Sequence, residues 1–208
     1  MFGLKPQANL STPAVKVSDF KAFARIRGRD AEDEVIKFFL ISAEEYLTSC
    51  TNIVFQSRTY LYTQDHPPAQ YIGWRVPPNF YSWLNSISLP VHPVQSIGQV
   101  SFTINGVQQP LDTNTYQVDL TQSTVRIAPV NGGYWPFSDF YKLSAVQIVF
   151  TAGYGGIDAA PHMARMAIMQ IANYWYENRA PGQTQNIVGA VPIGLQNMIN
   201  SLKTTGFA

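Results

Sequence analysis

The stretch NIVFQSRTYLYT, residues 52–63, marks the point at which the sequence changes from a helical to a strand pattern. Its side chains alternate between two faces and are rich in β-branched and aromatic residues, which is typical of a strand. Upstream, residues 31–51 repeat apolar side chains at helical spacing over a face so wide that we expect it to be buried on two sides. A helical beginning that leads into strands predicts an α+β fold. The apolar positions of this helix are Val35, Ile36, Phe39, Leu40, Ala43, Tyr46, Leu47 and Cys50.

Several segments downstream predict antiparallel strands, which form a sheet or sandwich inserted over residues 52–155. The clearest is a hairpin over residues 94–112, because Asn105-Gly106 suits the positive φ angles of a type I′ turn. The last strand lies in AVQIVFTAGYG (145–155), where glycines interrupt it. The other strand segments are residues 81–90 and a second hairpin over residues 115–129.

Two more helices complete the predicted core. Ser18 can cap a short helix over residues 18–28. Pro161 suits the first turn of a long helix over residues 161–179. We therefore expect a small helical core of two N-terminal helices and one long C-terminal helix. The predicted divisions are an extended N-terminal arm over 1–15, a domain over 16–182 and an extended C-terminal tail over 183–208.

The composition favours a protein whose surface is partly covered by partners. Charged residues make up only 13% of the 208 residues and hydrophobic ones 46%, so few charges are available for a free surface; an uncharged polar exterior is the alternative. A net charge of +1 gives no overall field that attracts nucleic acid. The single cysteine, Cys50, excludes a disulfide within the chain. We find no signal peptide and no membrane span, and expect an intracellular, soluble chain.

No constellation of catalytic residues is found, so we expect no enzyme activity, no cofactor and no metal. The histidines, His66, His92 and His162, are scattered, which argues against a zinc site. The loop AGYGGIDAAP, residues 152–161, lacks the glycine spacing of a dinucleotide-binding loop and is better explained as a tight turn between strand and helix. Cys50 is expected in the core. A small hydrolase is the alternative, but it lacks an acid–base pair.

Four basic residues, Lys21, Arg25, Arg27 and Arg29, lie close together in the sequence. On the predicted first helix, Lys21 and Arg25 would share one face. These residues are candidates for contact with phosphates or with an acidic partner. The alternative is a solvated basic face, balanced by the acidic start of the next helix at residues 32–34.

The C-terminal residues VPIGLQNMINSLKTTGFA (191–208) follow a stretch with the composition of a flexible linker. Their apolar side chains fall near helical spacing, and burying five of them would contribute on the order of 10 kcal/mol before ordering entropy is subtracted. Such a segment either packs on its own domain or is held by a partner. At the end of the preceding helix, Trp175, Tyr176 and Arg179 are expected to anchor the core or an interface.

Seven segments carry motifs that occur in the same order in one family. They are VKVSDFKAFARIRGRDAEDEVIKFFLISAEEYLTSCTNIVF (15–55), LPVHPVQSIGQVSF (89–102), LDTNTYQVD (111–119), GGYWP (132–136), VQIVFTAGYG (146–155), AIMQIANYWYENR (167–179) and VPIGLQNMI (191–199). Together they resemble tailed-phage head–tail connector (adaptor) proteins. Ala24-Arg25 stands where the family usually has a Leu-Arg pair, and Asn52-Ile53 lacks the Gly-Arg often found there.

The resemblance implies a small helical core with an inserted β-sandwich or sheet. It implies that identical copies form a ring, usually of twelve, beneath the portal protein of the capsid. The ring would extend the DNA channel without sequence-specific binding and would receive a stopper or tail-completion protein. The chain would thus be a structural virion protein at the head–tail junction, assembled in the host cytoplasm. Its C-terminal segment would grip the portal through Val191, Ile193, Leu195, Met198, Ile199 and Leu202.

A glycan-binding β-sandwich module of a phage tail or fibre is the main alternative function. In that case Trp74, Trp83 and Trp135 would form an exposed aromatic platform for sugars.

Overall fold

The computed structural model describes residues 2–28, 32–65, 86–132, 135, 143–178 and 193–205. The chain divides into two compact units. A β unit lies within residues 1–8 and 58–152, and a helical unit lies within residues 9–57 and 153–207. Antiparallel sheets in one unit and helices in the other confirm the predicted α+β fold.

The β unit contains two antiparallel sheets over the described residues. Their strands are β1 (Phe2–Pro6), β2 (Arg58–Gln64), β3 (Ile87–Ser88), β4 (Val94–Ile104), β5 (Val107–Pro110), β6 (Tyr116–Asp119), β7 (Arg126–Pro129) and β8 (Val146–Ala152). The larger sheet has the order β1-β2-β8-β4-β5, and the smaller one the order β3-β7-β6.

Alternating side chains give the larger sheet one buried face. In β8, Val146, Ile148 and Phe150 are buried, while the residues between them are half exposed. Tyr60 of β2 lies opposite Phe150, and their rings stack with centroids 5.7 Å apart. The two-residue period read from the sequence is therefore the one that sets the core of this unit.

Local turn chemistry fixes the β4–β5 hairpin. Asn105 and Gly106 have φ angles of 51° and 79°, which are the two positive values that a type I′ turn requires. The predicted hairpin is confirmed. The predicted hairpin over residues 115–129 is also present, as the antiparallel pair β6–β7.

The helical unit is built around two long helices. Its helices are α1 (Val17–Phe23), α2 (Asp33–Thr51), α3 (His162–Glu177) and α4 (Ile193–Thr205). One stripe of α2, including Ile36, Leu40 and Leu47, is buried against the stripe of α3 that includes Ile168 and Ile171. Burial of α2 on two sides, expected from the sequence, is wrong, because Val35 and Phe38 on its outer side are exposed.

The N-terminal segment does not extend away from the body as an arm. Residues 2–6 are extended, but they form β1, which pairs with β2 from Phe2 opposite Gln64 to Pro6 opposite Tyr60. Farther along, Ala14 and Val15 are buried in the core of the helical unit. The physical reason is that backbone groups and apolar side chains of this segment find partners within the chain.

Helix α1 is shorter than the predicted 18–28. It ends at Phe23, and Arg25 adopts a left-handed conformation with φ of 56°. The Ile26 N–H donates to the Lys21 carbonyl at 2.9 Å, and the Arg25 N–H to the Ala22 carbonyl at 3.4 Å, which is the Schellman pattern of a helix C-terminus. Ser18 lies inside the helix and is not its N-cap, the position held by Lys16.

The β unit is also shorter than the predicted insertion over 52–155. Ile53 and Phe55 are buried in the core of the helical unit, and the change of unit falls at residues 57–58 and 152–153. The strand pattern of residues 52–57 comes from side chains that serve the helical core.

Candidate assembly surfaces

The C-terminal helix α4 packs on its own chain. Leu195, Ile199 and Leu202 are buried in the core of the helical unit, and Met198 is partly buried against it. These side chains meet α2 and α3. The structure thus shows the alternative of packing on the chain's own domain, and the expected extended tail is wrong for residues 193–205. Val191 and the side chain of Ile193 lie outside the described residues.

The outer face of α4 is polar. Gln196, Asn197, Asn200 and Lys203 are exposed, whereas three of the apolar positions predicted to bind a portal face inward, namely Leu195, Ile199 and Leu202. In this arrangement the helix offers a partner amide groups and one ammonium group. A partner can reach the apolar side chains only if α4 leaves α2 and α3.

Aromatic residues at the end of α3 hold the helices together. Trp175 meets Tyr46 edge-on with ring centroids 5.7 Å apart. Tyr176 meets Phe20 of α1 and Phe39 of α2 in the same way, at 6.2 Å in each case. Such contacts are worth about 0.5–1.5 kcal/mol beyond area burial. Both residues therefore anchor the helical core, and Arg179 lies outside the described residues.

The described members of the predicted basic cluster differ in their surroundings. Lys21 forms an ion pair with Asp33 in the first turn of α2, as the charge-balanced alternative predicts. Lys21 and Arg25 do not share a helix face, because α1 ends before Arg25. Arg25 and Arg27 are exposed in the following loop. Arg29 lies outside the described residues.

The glycine-rich loop after β8 makes the predicted tight turn. It passes close to two other segments of the chain. A Cβ added to Gly153 would lie 2.3 Å from the Gln56 carbonyl oxygen. The Ser57 N–H donates to the Gly155 carbonyl at 2.7 Å, and the Asp158 N–H to the Ala14 carbonyl at 3.1 Å. The loop is therefore shaped to pack on two other segments of the helical unit.

Asp158 of this loop forms two ion pairs. Its carboxylate lies 2.7 Å from the Lys16 ammonium and 3.4 Å from the Arg165 guanidinium. The hydrogen bond from Lys16, together with the charge of Arg165, holds the pKa of Asp158 below its usual value. Arg165 also lies 4.0 Å from the Asp19 carboxylate, so these ion pairs connect the loop to the start of α1 and to α3.

Sequence reasoning missed a buried acid. Glu44 of α2 is fully buried, and its Oε2 accepts the Ala14 N–H and the Gln56 side-chain amide, each at 2.9 Å. The only sequence signal is that Glu44 falls four residues from Leu40 and three from Leu47, on the buried stripe.

In the described part of the chain, no group of three or more His, Cys, Asp or Glu residues is placed to hold a metal ion. No helix there is long and apolar enough to cross a bilayer. Cys50 is partly buried against the helical core.

One of the three tryptophans expected in an exposed glycan platform is buried. Trp135 is only 2% exposed, and it stacks on Phe102 with ring centroids 5.1 Å apart. It therefore belongs to the core of the β unit. Trp74 and Trp83 lie outside the described residues.

Exposed large apolar side chains occur in both units. In the helical unit they are Phe23, Val35, Phe38, Ile157, Met163 and Met166, and in the β unit Phe2, Val107, Leu120 and Leu143. Scattered singly, such residues are ordinary, whereas a contiguous apolar patch rimmed by polar residues is a candidate for partner contact.

Comparison with solved structures finds the same fold in particle necks. A chain in the neck of an empty gene transfer agent (GTA) particle, computed with C6 symmetry, matches 97% of this chain and 95% of its own length with a TM-score of 0.73 and 20% identity. Chains in the virion of a native GTA particle and in its neck computed with C12 symmetry match the same shares at 19% identity, with TM-scores of 0.69 and 0.67. The resemblance to head–tail connectors is consistent with this fold. No family model and no curated protein matches the sequence.

Proposed function

We propose that the protein is a structural component of the neck of a tailed phage or phage-like particle. The observation that carries this proposal is a fold shared over 97% of the chain with a chain in a GTA neck computed with C6 symmetry. A related neck structure was computed with C12 symmetry. A surface with few charges, since only 13% of residues are charged, suits a chain that is largely covered by neighbours.

In this role identical copies, twelve in our proposal, form a ring between the portal protein and a stopper or tail-completion protein. The ring extends the DNA channel and joins head to tail without catalysis. Its function is geometric, because repeated contacts around a ring add up to a joint much stronger than any one contact.

We also propose that α4 binds the portal. The present position of the helix limits which of its side chains can make that contact. Contact through Leu195, Ile199 and Leu202 requires the helix to leave α2 and α3, since these side chains are buried there. That exchange replaces burial in the chain's own core with burial in the partner. It is feasible only if the portal groove covers a comparable apolar area.

The test is deletion of the gene in a particle-producing host, with the lysate viewed by negative-stain electron microscopy. We expect DNA-filled or leaking heads beside unattached tails, and intact particles once the wild-type gene is supplied in trans. Intact tailed particles that fail only to adsorb would overturn the neck role and return attention to the β unit.

A further inference from the structure

An exposed basic surface follows α1. We define the arginine loop as Phe23, Arg25 and Arg27, all of them exposed; Phe23 is 39% exposed. Ile26, between the two arginines, packs against the helical core. Neither arginine forms an ion pair with another described residue, whereas Lys16, Lys21 and Arg165 in the same unit all do.

The backbone at Arg25 is unusual for an arginine. Its φ of 56° places it in the left-handed region at the end of α1, where glycine is the residue with least strain. A strained residue that persists in an exposed loop is a reason to look for a partner of its side chain.

An exposed surface of opposite charge lies on α2. We define the acidic stripe as Glu34, Phe38 and Glu45, which are spaced by four and seven residues and so share one helix face, on the side away from the buried stripe. Phe38 is 66% exposed and the Glu34 side chain 88% exposed. The single described ion pair of this stripe, Glu34 with Lys37, is long at 3.8 Å.

We infer that the acidic stripe of one copy receives the arginine loop of the next copy, a contact that rests on the ring proposed above. Each surface places an exposed phenyl ring near exposed charges, which are arginines on the loop and glutamates on the stripe. A second copy of this chain therefore offers both the apolar and the electrostatic match. Because the two surfaces differ, the contact is head-to-tail, which is the type that closes into rings.

Nucleic acid is a poorer occupant of these surfaces. A phosphate backbone would repel the acidic stripe and would leave the exposed side of the Phe38 ring uncovered. The arginine loop alone offers two phosphate contacts, which supply little affinity at physiological salt.

The experiment measures self-association by sedimentation velocity and native mass spectrometry of the full chain, at low and at high salt. One variant reverses the charge of the arginine loop (Arg25→Glu with Arg27→Glu), and another reverses the charge of the acidic stripe (Glu34→Arg with Glu45→Arg). We expect each variant alone to associate at least about tenfold more weakly than the wild type, and Phe38→Ala to do the same. An equimolar mixture of the two charge variants should assemble again, because every contact in an alternating ring then joins opposite charges.

The controls are Lys203→Glu on α4 and Val107→Ala in the β unit, which alter an exposed charge and an exposed apolar side chain elsewhere and should leave assembly unchanged. Thermal unfolding of each variant checks that it is folded. This interface would be overturned if both charge-reversed variants still formed rings as the wild type does, or if their mixture failed to assemble. Either result would leave the proposed neck role standing. A wild-type chain that stays monomeric would overturn the contact as well, and the deletion microscopy decides the neck role separately. Loss of duplex DNA binding by the loop variant, with its rings intact, would assign the arginine loop to phosphates instead.

Discussion

The backbone N–H of Ala14 donates a 2.9 Å hydrogen bond to Oε2 of Glu44, thirty residues farther along the chain. The same oxygen accepts the side-chain amide of Gln56, which also donates to the Thr12 carbonyl at 2.8 Å. One carboxylate of α2 therefore holds two segments that approach the helical core from different parts of the sequence. Because the two bonds to the carboxylate are buried, water cannot readily replace them if the carboxylate is removed.

We predict that Glu44→Ala lowers the free energy of unfolding by about 2–5 kcal/mol, since it leaves buried donors unsatisfied and opens a cavity. In the monomeric chain, Glu45→Ala is the matched control, because this neighbouring residue is exposed and its loss should change stability by no more than about 0.5 kcal/mol. Urea unfolding followed by circular dichroism measures both. Equal effects of the two substitutions would show that the buried bonds contribute little.

We predict a strong effect of Gly153→Ala. The new methyl group would lie 2.3 Å from the Gln56 carbonyl oxygen, at a φ of 127° that an alanine rarely adopts. Backbone strain and this clash should together cost more than about 2 kcal/mol. Gly156→Ala is the control, because nothing lies within 4 Å of its added Cβ. If both variants unfold at the same temperature, the close crossing of these segments does not matter for stability.

Helix α4 should contribute to stability in the free chain. Ile199→Ala removes a buried side chain and should cost about 2–5 kcal/mol. Gln196→Ala, on the exposed side of the same helix, should be nearly neutral. Thermal unfolding of the two variants distinguishes a docked helix from a free tail, for which neither substitution would have an effect.

The features that the sequence predicted well depend on residues that are close together in the chain. The Asn105-Gly106 turn follows from the φ angles that those two residues accept, and the inward face of β8 follows from alternation. What it missed depends on distant partners. Strand β1 has only five residues, too few for a firm prediction from alternation, and it is a strand because its backbone pairs with β2 from Phe2 opposite Gln64 to Pro6 opposite Tyr60. The helical spacing of Leu195 and Ile199 predicted an apolar face, but spacing cannot say which surface covers that face.

A substitution at Arg25 can distinguish the stability of the isolated chain from its assembly with other copies. Left-handed backbone costs an arginine about 1–2 kcal/mol, whereas a glycine loses about 0.4–1 kcal/mol more in unfolded-chain entropy. Arg25→Gly should therefore stabilise the isolated chain by roughly 0.5–1 kcal/mol in urea unfolding. Arg27→Gly is the matched control, because Arg27 is equally exposed but has no positive φ to relieve, and it should be neutral or slightly destabilising. If the arginine loop is an interface, both variants associate more weakly although only one of them is more stable. If the Arg25→Gly chain is more stable and still forms rings as the wild type does, Arg25 does not contribute to the contact with a neighbouring copy.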